Sequence, residues 1–101
     1  MGDDIGPGRL LLIAVRCDDD AAIARAERAL RSGVRAADLR RLDVAPPAAL
    51  FLAYADAEPA AVRDWLADAL GPGARAFVAE FEHWSALGDV TDLAWLHRRG
   101  H

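Results

Sequence analysis

Two short runs, Leu10–Val15 and Ala49–Ala55, carry almost uninterrupted apolar side chains. A strand sends successive side chains to opposite faces, so a run without polar alternation is buried on both. Neither run is long enough to cross a bilayer. Each is therefore expected to be a central strand, and the rest of the chain has to cover a sheet from two sides.

The remaining segments supply candidates for that cover. Asp18, Asp19 and Asp20 precede Ala21–Arg31, where a carboxylate caps free backbone N–H groups and meets the positive end of a helix dipole. Ile23, Ala26 and Leu30 fall on one face of that helix, and Gly33 is expected to stop it. A second helix starts at Pro59, with Val62, Trp65, Leu66, Ala69 and Leu70 at helical spacing, and ends at Gly71-Pro72-Gly73. Leu39–Val44 reads as an edge strand joined to the second apolar run by a short loop through Pro46-Pro47, although helix over residues 36–43 is the competing reading. Arg75–Trp84 alternates, with Phe77, Ala79, Phe81 and His83 on one side and Val78, Glu80, Glu82 and Trp84 on the other, as an edge strand does. Residues 1–8 are expected to be a flexible leader. Residues 89–101 are expected to form a docking segment, with a short helix begun near Asp89 or Thr91 that frays from His97.

One domain over residues 9–88 follows, since 101 residues cannot build two independent cores. The order strand, helix, strand, strand, helix, strand resembles the ferredoxin-like α+β sandwich, with the first and third strands central. In that arrangement both helices lie on one face. The apolar residues on the other face need a different cover: a second copy of the chain packed sheet to sheet, or the Trp95 tail folded across its own sheet.

Charge narrows the partners. A net charge of −4 argues against broad attraction to nucleic acid or to an anionic membrane. All twelve basic residues are arginine, and the pairs Arg40-Arg41 and Arg98-Arg99 read as a solvated strand face and a terminal tail. Cys17 is the only cysteine, so no intrachain disulfide is available and a reducing cytoplasm is the expected setting.

No constellation of catalytic residues stands out. Strand alternation would send His83 to the face opposite Glu80 and Glu82, which argues against a shared metal or acid/base site, and no cofactor is expected. Cys17 lies before a helix start, but the three following aspartates oppose its thiolate. The glycine-proline clusters lack the pattern of a phosphate loop, and neither Ser32 nor Ser85 sits in a nucleophile elbow. Tyr54, Glu80, Phe81, His83, Trp84 and Trp95 remain as candidates to line a pocket or an interface. Three functions are open at this level. The first is a non-enzymatic, dimeric protein-interaction or accessory module. The second is a cofactor-free dimeric α/β-barrel enzyme of monooxygenase, cyclase or isomerase type acting on an apolar small molecule. The third is a metabolite-sensing regulatory domain.

Overall fold

The computed structural model describes residues 8–88 and 93–100. Its elements are β1 (Arg9–Arg16), α1 (Asp20–Gly33), a 3-10 turn (Ala36–Asp38), β2 (Leu39–Ala45), β3 (Ala48–Ala55), α2 (Pro59–Leu70), β4 (Ala76–Phe81) and α3 (Leu93–Gly100). The strands form one antiparallel sheet in the order β2-β3-β1-β4. The two uninterrupted apolar runs are thus the central strands, and the two alternating segments are the edges. This mixed α+β arrangement is consistent with a sandwich. The helical alternative for residues 36–43 is overturned: helix is limited to the 3-10 turn, and Leu39 onward pairs with β3.

On the first face, Leu11, Ile13 and Val15 of β1 and Phe51 and Ala53 of β3 pack with Ile23, Ala26 and Leu30 of α1 and Val62 and Leu66 of α2. Asp19 caps α1 by accepting the Ala22 N–H at 2.8 Å, the role expected of the aspartate run. Gly33 acts differently from the expected helix stop. It is the last residue of α1, and a Cβ there would fall 2.3 Å from the Trp65 ring, so glycine serves the close approach of α2. Gly71, at φ 80°, does close α2.

The second face has its own core. Leu10 and Leu52 meet Trp95 and Leu96 of α3, with Leu12, Leu42, Tyr54, Phe81 and Trp84 packed around them. The tail therefore lies across its own sheet, at the end where β1 starts and β3 finishes. The expected fraying from His97 is not found through Gly100, because Arg99 is held in place as described below. The expected start of this helix at Asp89 or Thr91 lies outside the described residues, as does the leader apart from Gly8. Among the described residues no helix is long and apolar enough to cross a membrane.

Candidate ligand cleft and docking face

The fourth strand ends at Phe81, three residues short of the expected Trp84, and this changes the geometry of the acidic cluster. Alternation stops there, so His83 is not turned away from its neighbours. Glu80, Glu82 and His83, together with Tyr54 and Phe81, line one open cleft of about 540 Å³. His83, beyond the end of the strand, thus borders the same cleft as the two glutamates. Gly8 closes one side, where a Cβ would sit 2.4 Å from the Tyr54 ring. Arg9 and Arg99 also border the cleft. Arg9 is engaged by Glu80 at 3.3 Å and by Asp56 at 3.8 Å. The cleft offers a phenol, an imidazole and two carboxylates beside an aromatic wall, a mixture that small-molecule sites use. Among the described residues no group of three His, Cys, Asp or Glu is placed to hold a metal ion.

Trp84 and Trp95 do not line this cleft. Trp84 tilts against His97 with ring centres 5.2 Å apart. Trp95 is fully buried, its indole N–H donates to the Ala37 carbonyl at 2.8 Å, and the Arg40 and Arg99 guanidinium groups lie 5.3 and 5.8 Å from its ring. Arg99 Nε donates to Asp38 at 2.7 Å, and the same buried carboxylate accepts Arg35 on its other oxygen. The pairs read as a solvated strand face and a loose tail thus supply, in Arg40 and Arg99, two members of a built anchor. Nothing in the local sequence marks Asp38 as the acceptor of Arg99, because the two are 61 residues apart.

The opposite end of the second face has no cover among the described residues. Register pairs share a face, so Asp43, Leu50, Ala14 and Phe77 form one row across all four strands. An irregularity in β2 between Arg41 and Asp43 lets Leu42 pack under α3 while Asp43 stands opposite Leu50. Phe77 is 64% exposed. With Ala14, Leu50 and Pro47 it lines a hollow of about 450 Å³ rimmed by Arg16 and Arg75. Arg16 meets Asp18 at 3.3 Å, whereas Arg75 and Asp43 have no ion partner among the described residues. An apolar strip therefore runs between Asp43 on β2 and Arg75 beside β4.

Two further titratable groups serve the fold. Burial pushes the Cys17 thiol up, and Asp18 and Asp19 add to this against the opposing charge of Arg25, so the thiolate is disfavoured. Burial also raises Glu27, but hydrogen bonds from Arg31 and Arg41 outweigh it and hold the carboxyl below its ordinary range. Glu27 thereby ties α1 to β2. No protein-family model, characterised protein or solved structure matches this chain.

Proposed function

We propose that this chain is a non-enzymatic protein-interaction module that works as a homodimer in the cytoplasm, on a ferredoxin-like sandwich. The order β2-β3-β1-β4, with α1 and α2 joining its strands, supports that topology. The observation that carries the functional reading is the uncovered row of Leu50, Ala14 and Phe77 between Asp43 and Arg75. Phe77, exposed beside Leu50, Ala14 and Pro47, supports an interaction surface, because a second apolar surface would relieve their contact with solvent. The charges favour a second copy as the occupant. Asp43 and Arg75 are opposite charges at the two ends of one row, which a second copy related by a two-fold axis would meet twice per dimer. Sedimentation across a concentration series tests this: a monomer–dimer equilibrium weakened by Phe77→Asp supports the reading, and a monomer at all concentrations overturns it.

The cleft supports a second reading, a metabolite-sensing or enzymatic domain, because Tyr54, Glu80, Phe81 and His83 all border one open volume of about 540 Å³. That size suits a small organic molecule. A rise in melting temperature with a panel of apolar and amphipathic metabolites, lost in Tyr54→Ala, favours this reading, since a ligand that binds only the native state stabilises it.

A further inference from the structure

The open cleft of about 540 Å³ sits where β1 begins and β4 finishes, and charges of opposite sign reach it from the two faces of the sheet. Tyr54, Leu10 and Phe81 are partners in the strand register, so they share the face that α3 covers. Arg9 and Glu80 each stand one residue earlier, and alternation sends them to the face of α1 and α2. Around Arg99 positive charge is in excess: the one carboxylate of Asp38 serves both Arg35 and Arg99, and Arg40 lies over the same indole ring as Arg99. Asp38 takes only the Nε–H of Arg99, and the terminal nitrogens have no partner among the described residues. Among those residues no buried side-chain nitrogen lacks a partner, so these nitrogens meet solvent, and Arg99 borders the cleft. Around Arg9 the balance is reversed, with Glu80 at 3.3 Å and Asp56 at 3.8 Å setting two carboxylates against one guanidinium. Glu82, exposed and without an ion partner among the described residues, adds a further negative charge to the lining.

We propose that the cleft binds an amphipathic zwitterion, a small molecule with a carboxylate at one end, an ammonium at the other and an apolar body between. The proposal rests on the second functional reading, that of a ligand cleft, and names the chemistry of the ligand. The terminal nitrogens of Arg99 can donate side by side to both oxygens of a carboxylate, and the bond from Nε to Asp38 fixes the plane of that fork. Glu82, with the carboxylate excess around Arg9, meets the ammonium. Leu10, Tyr54 and Phe81 supply the apolar surface between the two charges. Glu82 repels a plain anion and Arg99 repels a plain cation, so full affinity needs both charges on one molecule.

The test varies the ligand and leaves the Arg99 anchor intact. A length series of straight-chain ω-amino carboxylates, with the alkylamines and alkylcarboxylates of the same lengths, is titrated into the full chain while nuclear magnetic resonance follows Leu10, Tyr54 and Phe81. One zwitterion is expected to bind about tenfold tighter than the amine and the carboxylate of its own length, the effect of losing one charged contact, and to shift all three residues. Glu82→Gln, at an exposed side chain, is expected to keep the melting temperature of the free protein and to reduce the advantage over the carboxylate. An unchanged advantage in Glu82→Gln overturns the placing of the ammonium. An amine or a carboxylate that binds as tightly as the zwitterion overturns the proposal and leaves the cleft a ligand site. No shift with any of these probes also overturns it, and the broader metabolite panel then decides whether the cleft binds a ligand at all.

Discussion

Arg99 Nε lies 2.7 Å from the buried carboxylate of Asp38, joining the last turn of α3 to the 3-10 turn that leads into β2. Both side chains are largely withdrawn from solvent, at 13% and 6% exposure, so the pair is stronger than a surface ion pair. Arg99→Met is expected to lower stability by about 1–3 kcal/mol, the range for losing a charged hydrogen-bond partner while Arg35 still satisfies one Asp38 oxygen. The loss should be local. Hydrogen exchange is expected to show faster amides in α3 and unchanged protection in β1 and α1, and uniform loss across the chain would contradict two separable cores.

Glu27 sets a pH dependence. Its folded-state pKa lies below the unfolded value, so the stability it contributes is present above the ordinary glutamate value near 4.3 and disappears as pH falls through the folded value. Because Arg31 and Arg41 are about half exposed, the neutral-pH effect of Glu27→Gln is put at about 1 kcal/mol, discounted for solvent screening. Urea denaturation at pH 7 and pH 3 checks the sign: the gap between the two proteins should shrink at the lower pH.

Gly33 reverses a general expectation. Alanine in place of a helical glycine ordinarily stabilises by up to about 1 kcal/mol. Here the new methyl would overlap the Trp65 ring, so Gly33→Ala is expected to destabilise by about 1–3 kcal/mol, the range for overpacking. Thermal melts of Gly33→Ala alone and combined with Trp65→Leu test the cause, because removing the ring should remove the penalty.

The sheet was legible in the sequence because its signal is local. Leu10–Val15 and Ala49–Ala55 announce two-faced burial by composition alone, and the aspartate run announces the cap of α1. The anchor was not legible, since Trp95, Asp38 and Arg40 meet only after the chain crosses the sheet, and an arginine near a terminus carries no sign of its partner. The cleft was legible in part. Tyr54, Glu80, Phe81 and His83 were candidates by residue type, but their place around one cleft depends on β4 ending at Phe81, a boundary that alternation through Trp84 conceals.

The proposed homodimer forms through the end of the sheet that no described residue covers. Sedimentation velocity of the unsubstituted protein, Phe77→Asp and Leu87→Asp at matched concentrations tests it most directly. Leu87 is also exposed, at 93%, but lies outside the hollow and serves as the control. A dimer is expected for the unsubstituted chain and the control, with at least a tenfold weaker association for Phe77→Asp. Equal association of all three, or none in any, would contradict it.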